Sequence, residues 1–424
     1  MKNVRQLSGL AACLVVLLCA CTKPSKSAGF DWPQCRGPDG NGQSRETEWD
    51  PASLANPRIL WTVNVGLGYS NVVIQNGWLY TVGTTKNDFT VSCLNAVTGK
   101  LRWNQILPST HNPQATPAID GRDLFVLTNK GALHALDSRS GKKKWSRDLV
   151  ADVGAVRPYY DFAGSPIVAG DFVILTANSG MAFDRTTGDL VWRSDRPPEQ
   201  YPSYDPSTSR GTYYSSPVLY ESDGELLAVI AGWEGLAAVK ALTGERVWLF
   251  PWGRRGWCEV TDPVISDDGR VLVFAFGDDA EEQTILFRSG PEEVEVLWRS
   301  PFPIMNLVST PVIEGERIFG SDSIGRLHCL DLGNGREITA PDQLDGGIRC
   351  VSPITSDGRL VVLSSEGILH AGDATAEGYR EIAQCDVLQG ANRPRQFWTP
   401  PVLCNAKIYC RNYAGDLVCI DVSR

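Results

Sequence analysis

The chain has 424 residues, a formal net charge of −9 and 42% hydrophobic residues, which is typical of a large globular body with a substantial core. It contains 41 Gly, 26 Pro and 13 Trp, a mixture that favours many short strands and turns over helices. The acidic balance and the lack of a long Lys/Arg-rich run argue against nucleic acid, and against direct contact with anionic lipid.

Residues 1–20 are predicted to be a lipoprotein signal peptide. Lys2 and Arg5 form a basic start, and the apolar run at 10–18 is too short for a stable membrane anchor. The run ends in Leu-Cys-Ala followed by Cys21, which resembles a bacterial lipobox and implies cleavage before Cys21 and lipidation of its thiol. An ordinary secretory signal cut nearby is the alternative.

Thr22 follows the lipobox cysteine. By the sorting rule of such lipoproteins, this residue implies an outer-membrane lipoprotein of a double-membraned bacterium, facing the periplasm or the cell surface. Loss of the leader takes the net charge to −11, because the leader holds two cationic residues and no acidic ones. Residues 21–56 are then a tether and an N-terminal segment.

The cysteine and histidine positions favour packing over metal binding. Nine cysteines remain outside the leader and the lipobox, an odd and scattered set that argues against a disulfide scaffold. No CxxC or Cys/His pair has metal spacing, so no metal is expected. The residues at related third-strand positions are predicted to be core residues: Cys93, Cys329, Cys419, His134, His328 and His370.

Residues 116–149 show the pattern that organises the chain. Four short segments, TPAID, DLFVLT, ALHALD and KKWSRDL, alternate apolar and polar residues or are briefly all apolar. The breaks between them carry Gly, Asn or Asp, as in strands joined by tight turns. The stretch therefore predicts a four-stranded sheet that needs similar neighbours to bury its faces.

The same unit recurs along the chain at intervals of 42 to 51 residues. A four-stranded repeat with a period in the forties is typical of a β-propeller. Each unit begins at Ser, Thr or Asp before Pro, and the first has Ser70-Asn71 without Pro; the remaining starts are Thr116, Ser165, Ser216, Asp262, Thr310, Ser352 and Thr399.

A turn and a Trp close most units. Asp or Asn is followed four residues later by Gly and, four further on, by Trp, as in DSRSGKKKW. The acidic or amide side chain caps the turn, Gly takes a positive φ, and Trp is expected to fill the gap between adjacent sheets. The expected docking residues are Trp61, Trp103, Trp145, Trp192, Trp248 and Trp298, with Thr339 and Ile382 in the corresponding place of later units.

These repeats resemble the tryptophan-docking repeats of pyrroloquinoline-quinone (PQQ)-like β-propellers, over about residues 57–424. Eight starts predict an all-β, eight-bladed propeller of four-stranded antiparallel blades. Because the eighth unit ends after three strands, the N-terminal strand at 57–65 is predicted to complete the last blade and close the ring. Residues 31–44, DWPQCRGPDGNGQS, resemble the opening segment of exported PQQ-like propellers and are expected to brace one rim, with a functional role as the alternative.

The loops that enter each first strand are expected to converge around the central channel, where variable loops carry function. Several combine aromatic residues with Arg, a composition suited to recognition. The candidate binding residues are Tyr69, Arg157, Tyr160, Tyr214, Arg255, Trp257, Glu259, Arg349, Arg395 and Trp398. Three interpretations stay open: a plugged channel, a protein contact, or a site for an anionic or sugar-like molecule. Glu259 and Asp262 could do acid–base work as a pair, but no catalytic residue is assigned.

The resemblance implies two classes of function, since the family includes PQQ-dependent alcohol dehydrogenases and BamB-type lipoproteins of outer-membrane protein assembly. The favoured one is a non-catalytic, monomeric scaffold for an envelope protein, reaching the membrane through its lipid anchor only. The alternative is a quinoprotein-type oxidoreductase or a small-ligand binder using the central funnel; a surface protein that handles carbohydrate is a third. The quinoprotein enzymes stack the quinone on adjacent, joined Cys residues and bind Ca²⁺ with Glu, Asn and Asp. This chain has no Cys-Cys pair, so neither PQQ nor calcium is predicted.

Overall fold

The structure, a computed structural model, describes residues 31–109, 113–194, 214–232, 235–251, 261–274, 284–290, 294–301, 309–322, 324–340, 342–344 and 353–424. Within these residues the protein is all-β, with eight antiparallel four-stranded sheets arranged as the blades of a propeller, which confirms the predicted fold class. None of the helices in this part of the chain has the length and apolar character needed to cross a membrane.

Blades are numbered here by their first strands, and the strand that comes first in the chain, β1 (Arg58–Asn64), belongs to blade 8. Two short 3-10 helices, Pro51–Ala55 and Ala177–Ser179, lie between strands. Blades 1 to 4 contain β2 (Val73–Gln75), β3 (Trp78–Thr85), β4 (Asp88–Asn95), β5 (Leu101–Leu107); β6 (Ala118–Asp120), β7 (Asp123–Leu127), β8 (Ala132–Asp137), β9 (Lys143–Asp148); β10 (Ile167–Ala169), β11 (Phe172–Leu175), β12 (Met181–Asp184), β13 (Leu190–Arg193); and β14 (Val218–Ser222), β15 (Glu225–Gly232), β16 (Gly235–Lys240), β17 (Arg246–Phe250).

Blades 5 to 8 continue the same order, and β1 follows β32 in the last sheet. They contain β18 (Val264–Ile265), β19 (Arg270–Phe274), β20 (Thr284–Ser289), β21 (Val294–Ser300); β22 (Val312–Glu314), β23 (Arg317–Ser321), β24 (Arg326–Asp331), β25 (Asp342–Gln343); β26 (Ile354–Ser356), β27 (Arg359–Leu363), β28 (Ile368–Thr375), β29 (Gly378–Asp386); and β30 (Val402–Leu403), β31 (Lys407–Arg411), β32 (Asp416–Asp421).

The ring is closed by strand β1. It pairs antiparallel with β32, with Trp61 opposite Cys419 and Asn64 opposite Asp416. This pairing confirms the prediction that the N-terminal strand at 57–65 completes the last blade. The first and last parts of the propeller chain therefore share one sheet, so that neither end of the ring exposes an unpaired face.

A buried arginine strengthens the same junction. Arg411 on β31 donates from Nη1 to the carbonyl oxygen of Ser70 and to Thr81 Oγ1 (2.8 Å), and from Nη2 to the carbonyl oxygen of Gly66 (3.1 Å). These three acceptors all belong to blade 1 or to the loop that enters it. Burial lowers the pKa of Arg411 to about 9. Hydrogen bonds to neutral oxygens thus hold blade 8 against blade 1.

The predicted turn-and-Trp motif forms the contact between neighbouring blades. Each indole ring lies 2.6 or 2.7 Å from the place where a Cβ on the turn glycine of the next blade would stand, in five pairs: Trp61 on Gly99, Trp103 on Gly141, Trp145 on Gly188, Trp192 on Gly244 and Trp298 on Gly335. The indole Nε1 donates to a carbonyl oxygen of the same turn: Ala96 (3.2 Å), Ser138 (3.0 Å), Arg185 (2.9 Å), Ala241 (3.1 Å) and Leu332 (2.8 Å), respectively. A side chain on the glycine would therefore collide with the ring.

Two junctions use other contacts. Trp248 packs edge-on against Phe287 of blade 5, with ring centroids 5.4 Å apart, and its indole donates to Tyr220 Oη within blade 4 (3.0 Å). Between blades 6 and 7, Thr339 stands in the Trp position, and its hydroxyl lies 3.0 Å from where a Cβ on Gly378 would be. The small threonine thus still meets the turn glycine of the next blade.

The last junction differs from the prediction. Ala383, and not Ile382, has the strand register of the docking Trp in blade 7, while Ile382 is 41% exposed. The hairpin turn between β28 and β29 is longer than its counterpart in blade 2: Asp373 is paired with Arg380, seven residues on, whereas Asp137 N bonds to the carbonyl oxygen of Lys142, five residues on. The gap left by alanine is filled by Trp49 and Leu54 of the N-terminal strap, a name used here for residues 31–56; both side chains are fully buried in the same hydrophobic cluster as Ala383.

A belt of hydrogen bonds links the first strands around the channel. From blade 1 to blade 6, the backbone N–H of the residue before the Pro position donates to the side-chain oxygen of the same position in the next blade: Asn71 to Thr116 (3.1 Å), Thr116 to Ser165 (2.9 Å), Ser165 to Ser216 (3.1 Å), Ser216 to Asp262 (2.6 Å) and Asp262 to Thr310 (3.2 Å). Pro removes the N–H that follows each link. In blade 1, where Pro is missing, the N–H of Val72 bonds to Asn71 Oδ1 (2.8 Å) instead.

The third-strand Cys and His residues are buried, as predicted for core positions. The histidines differ in their partners. His328 lies between Glu337 Oε1 (2.5 Å from Nδ1) and Asp322 Oδ2 (3.2 Å from Nε2), and His370 Nδ1 bonds to Glu381 Oε2 (2.7 Å). In contrast, neither ring nitrogen of the buried His134 has a hydrogen-bond partner among the residues that the structure describes.

His134 is expected to make the fold sensitive to acid. Burial, reinforced by the nearby Lys143, lowers the pKa of His134 to about 4. The unfolded chain therefore binds the extra proton first, and stability that is complete above about pH 6.5 is lost as the pH falls toward 4, by about 3 kcal/mol. Urea unfolding of His134→Leu at pH 7 and at acid pH should show a flatter pH dependence than the parent. Parallel losses in parent and variant would contradict this assignment.

The matched control is His370→Leu, because His370 occupies the corresponding position in blade 7. This variant removes the hydrogen bond to Glu381 and is expected to destabilise the protein already at neutral pH, by about 1–3 kcal/mol. The two leucine variants thus separate a histidine without partners from one with a carboxylate partner.

Candidate functional site at the upper rim

The turns of each blade define two faces of the ring. On the lower face, the turn after the first strand bonds to the turn after the third, as in the bond from Ala96 N to Gly77 O (3.0 Å). On the upper face, the turn after the second strand meets the loop that enters the next blade. There Phe162 packs under Gly131, 2.6 Å from where a Cβ would stand. The candidate binding loops that the structure describes therefore open on the upper face.

The N-terminal strap crosses the lower face and contacts blades on opposite sides of the ring. Trp32 exchanges two backbone hydrogen bonds of 2.8 Å with Ile74 in blade 1. Further along the strap, Gln43 Nε2 donates to the carbonyl oxygen of Ile313 in blade 6 (2.8 Å). These contacts make the strap a brace across the lower face.

The middle of the strap lies against the belt. Arg36 is buried with a φ of 60°, and its Nη2 donates to the carbonyl oxygens of Asn41 (2.9 Å) and Pro311 (2.8 Å). Burial, together with the nearby Asp262 carboxylate, raises the pKa of the Cys35 thiol to about 11. Cys35 is therefore a poor nucleophile at neutral pH.

Asp262 is a belt residue and not a free acid. Its Oδ1 accepts the backbone N–H of Ser216 at 2.6 Å, and its side chain is buried. Burial raises the pKa of Asp262, and the charge of Arg36 opposes this rise. The other carboxylate of the predicted pair, Glu259, lies outside the described residues, so the geometry assigns Asp262 a structural role only.

Two predicted site residues far apart in sequence meet at the junction of blades 8 and 1. The rings of Tyr69 and Trp398 stack with centroids 5.3 Å apart and planes 15° apart, and Tyr413 lies 4.7 Å from Tyr69 on a tilted plane. Gln396 Nε2 donates to Tyr69 Oη (3.2 Å). Burial is the main cause of a raised pKa of Tyr69, and the neighbouring Tyr413 is a smaller cause. The phenol of Tyr69 therefore stays neutral and can donate a hydrogen bond.

Arg395 is also on this rim, but its donors are already used. Nη2 bonds to Asp386 Oδ2 (2.8 Å), and Nη1 bonds to Asp386 Oδ1 (3.2 Å) and to the carbonyl oxygen of Glu366 (2.5 Å). The hydrogen bond with Asp386 raises the pKa of Arg395. The neighbouring Arg393 is paired in the same way with Asp416 (2.8 Å). Both arginines hold the loop in place.

A second aromatic group lies between blades 2 and 4. Tyr159 and Tyr160 are 69% and 55% exposed and meet edge to face with centroids 4.8 Å apart. Tyr214 is buried beneath them, and its Oη accepts the backbone N–H of Tyr160 at 2.9 Å. Arg157 is exposed on the same loop. The exposed rings thus stand on a fixed backbone.

Backbone contacts join the two groups. The N–H of Tyr69 donates to the carbonyl oxygen of Pro113 (2.7 Å), and Gln114 Nε2 donates to that of Tyr160 (3.0 Å). The result is a row of neighbouring aromatic side chains from blade 8 to blade 4, called here the upper aromatic arc: Tyr413, Trp398, Tyr69, Tyr160 and Tyr159, with Tyr214 buried beneath them.

The remaining predicted binding residues, Arg255, Trp257, Glu259 and Arg349, lie outside the described residues. Sequence analysis missed Tyr413 because it sits in a turn between a second and a third strand, whereas the prediction considered only loops that enter first strands. Tyr159 was missed although it adjoins a predicted residue, and its place in a Tyr-rich loop was the available signal.

The resemblance to PQQ-dependent alcohol dehydrogenases implies a site for a quinone and a calcium ion. Among the described residues, no group of three or more His, Cys, Asp or Glu side chains is placed to hold a metal ion. Asp262 is committed to the belt, and Cys35 has no adjacent cysteine. The described channel residues therefore do not fit that site, and the lack of a cofactor stays a prediction.

Comparison with known proteins places the chain in a family. The family model described as outer membrane protein assembly factor BamB matches residues 52–158 and 87–341, which together span more than half of the sequence. This chain belongs to the BamB family of PQQ-like propellers. Its membership fits the ring of eight blades and the Trp-to-glycine contacts between them.

Members of this family and related enzymes are distant in sequence. BamB of Shewanella oneidensis is 24% identical over 307 residues, which covers 70% of this chain and 68% of that protein. A polyvinylalcohol dehydrogenase of a Pseudomonas species is 28% identical over 237 residues, or 53% of this chain. The match spans 32% of that dehydrogenase, about a third of its length.

Solved structures share the fold with this BamB-family chain. BamB from Moraxella catarrhalis superposes with a TM-score of 0.60 at 18% identity, covering 87% of this chain and 98% of that one. The quinohemoprotein alcohol dehydrogenase of Comamonas testosteroni gives a TM-score of 0.63 at 12% identity, covering 94% and 81%. A BamB and an alcohol dehydrogenase thus share this fold, so the fold alone does not decide the function.

Proposed function

We propose that this BamB-family protein is a non-catalytic scaffold of the bacterial envelope, which binds a protein partner of outer-membrane protein assembly through its upper aromatic arc. The observation that carries the proposal is the pair Tyr159 and Tyr160, two large exposed rings on a fixed backbone. Rigid aromatic side chains lose little conformational freedom on binding and dominate the energetics of many protein contacts.

The pairing of charged side chains on the upper face favours a protein as the binding partner over a small anionic ligand. Arg393 and Arg395, which would be suited to an anionic ligand, are paired with Asp416 and Asp386. The arc that remains is broad and largely apolar, with polar tips on its tyrosines, as in protein contacts. The similarity to BamB of Shewanella oneidensis, which covers about two thirds of both chains, supports the same class of function.

The proposal includes an outer-membrane location with Cys21 as the lipidated residue. The lipobox-like sequence at 18–21 and Thr22 support it, as do the BamB relatives. An oxidoreductase is the second candidate, supported by the 28% identity to polyvinylalcohol dehydrogenase. The scaffold is preferred because the described channel residues do not fit the quinone and calcium site.

The double variant Tyr159→Ala/Tyr160→Ala is expected to lose at least tenfold in capture of its envelope partner, since central aromatic residues often contribute 2 kcal/mol or more to binding. Its unfolding temperature should stay close to that of the parent, because both rings are exposed. Quantitative cross-linking and pull-down from solubilised envelopes measure the capture. Ile382→Ala, at an exposed apolar residue on the outer strand of blade 7, is the control. Undiminished capture by the double variant would contradict the proposal.

A further inference from the structure

The lower edge of blades 1 and 2 carries a group of cationic side chains without carboxylate partners in the described structure. All are exposed, and they flank the turns that hold Gly99 and Gly141: Lys100, Arg102, Arg139, Lys142 and Lys143. Trp103 connects the two turns, since it follows Arg102 in β5 and its indole donates to Ser138 in the turn of blade 2. The chain as a whole is acidic, so this local excess of positive charge is unusual for it.

Two carboxylates near these turns, those of Asp137 and Asp123, do not neutralise the five cationic residues, because both are bonded to other cations. Asp137 is paired with Arg122 (2.5 Å). Asp123 is paired with Lys144 and with Arg185 (2.8 Å). The five free cations therefore present their charge to the solvent, where it acts within about 10 Å at moderate ionic strength.

Apolar residues stand among the same cations. Val97 and Leu101 are 54% and 58% exposed, which is high for aliphatic side chains. Trp78 is half-buried, and the Arg102 guanidinium lies over its ring at 4.1 Å from the centroid. Aliphatic residues, a Trp at the rim and several Lys and Arg are the composition of surfaces that lie in the headgroup region of a bilayer.

The start of the strap lies beside this surface. Asp31 Oδ1 accepts the backbone N–H of Asn76 (3.0 Å), two residues before Trp78. Ten residue steps separate Asp31 from Cys21. Ten such steps can span at most about 35 Å. A lipid on Cys21 would therefore hold this corner of the lower face close to the membrane.

We propose that this surface is a membrane-docking patch for bilayers that contain anionic phospholipid headgroups. The patch consists of Trp78, Val97, Lys100, Leu101, Arg102, Arg139, Lys142 and Lys143. It rests on the proposed lipid anchor and adds a direct lipid contact that the acidic composition of the chain argued against. Local arrangement outweighs net charge here, because the field at a surface is set by charges within a screening length. With the patch on the bilayer, the upper aromatic arc faces away from it, toward a partner.

The test places a polarity-sensitive fluorophore on the full chain at Val97→Cys, with the chain reconstituted by its own anchor into vesicles. The vesicles contain phosphatidylcholine alone or phosphatidylcholine with phosphatidylglycerol. In the second kind, the Val97 label should shift to the blue and be quenched by spin-labelled lipid at low salt. Tyr160→Cys, on the upper face, is the matched control and should stay in water. The parent chain gives the background from its own cysteines.

Charge removal gives the second arm of the test. Lys142→Gln/Lys143→Gln should weaken the docked state about fivefold for each charge removed, since a basic residue near an anionic surface contributes about a factor of five. Equal emission in both kinds of vesicle, or no change in the double Gln variant, would overturn the patch. Displacement by a soluble polyanion at the same charge concentration would also overturn it, in favour of an acidic macromolecule as the partner.

The lipid anchor is tested separately by flotation. If neither labelled chain floats with the vesicles, the anchor is wrong. The patch is then tested by adding phosphatidylglycerol vesicles to the free chain. A blue shift of the Val97 label under that condition supports the patch without the anchor, and an unchanged emission overturns it.

Discussion

Replacement of β1 (Arg58–Asn64) by seven Gly and Ser residues is expected to open the ring and to lower the free energy of unfolding by about 5 kcal/mol or more. The change removes Trp61 from Gly99 and takes Ile59, Leu60 and Val63 away from the core cluster against which they pack. It also leaves β32 as an unpaired edge, which favours aggregation. Urea unfolding followed by tryptophan fluorescence, together with limited proteolysis, measures the loss.

The control for this experiment is Trp61→Phe. It keeps the strand pairing of β1 but removes the indole N–H that donates to the carbonyl oxygen of Ala96 (3.2 Å), so a loss of about 1–2 kcal/mol is expected. A Gly/Ser variant that unfolds at the same urea concentration as the parent would show that the ring does not depend on β1.

Gly141→Ala is expected to destabilise the protein by about 3 kcal/mol. Its backbone has a φ of 71°, and the new Cβ would lie 2.7 Å from the ring of Trp103. The positive φ contributes about 1 kcal/mol, and the forced displacement of a packed ring about 2 kcal/mol. Thermal or urea unfolding of the variant tests this value.

Gly121→Ala is the matched control, because Gly121 has a φ of 60° but no atom within 4 Å of the place where its Cβ would stand. It should lose only the cost of the backbone conformation, about 1 kcal/mol. The additional loss of stability in Gly141→Ala, relative to Gly121→Ala, should become smaller when Trp103 is also replaced by Ala. Equal losses in the two alanine variants would mean that the indole does not fix the junction.

The repeat pattern predicted most of the fold, because each blade carries its own strand, turn and Trp signals. The belt of hydrogen bonds between the first strands could not be predicted from the repeat pattern. The Ser, Thr or Asp before Pro was visible, but its role depends on a partner some 50 residues away in the next blade. Local patterns cannot show which two side chains a ring brings together.

The last junction shows a second limit of sequence analysis. Ile382 has the expected spacing, yet a longer turn between β28 and β29 places Ala383 in the docking position. The Trp that fills the space, Trp49, comes from the strap at the other end of the chain. Spacing rules assume turns of constant length, and a side chain supplied by a distant segment cannot be recognised from the repeat itself.

The sequence predicted where the candidate site lies better than it predicted which of its side chains are available for binding. Tyr69 and Trp398 do meet on the upper rim. Arg395 has the residue type of a binding group, but Asp386 and Glu366 occupy its donors, so it holds the loop in place. Whether an arginine binds a ligand or braces a loop depends on carboxylates and carbonyl groups that only the folded ring brings within reach.

The belt has a consequence for how such a ring can change during evolution. The five described links, from blade 1 to blade 6, all run in the same rotational sense, with the backbone of one blade donating to the side chain of the next. If a duplicated blade is inserted in the same strand register, one hydrogen bond of the belt is lost and two are formed. The belt can therefore lengthen with the same types of residue. A unit that lacks a hydroxyl, carboxylate or amide at this position would instead leave its neighbour's N–H without an acceptor. The belt thus favours retention of those duplicated blades that carry a hydrogen-bond acceptor at this position.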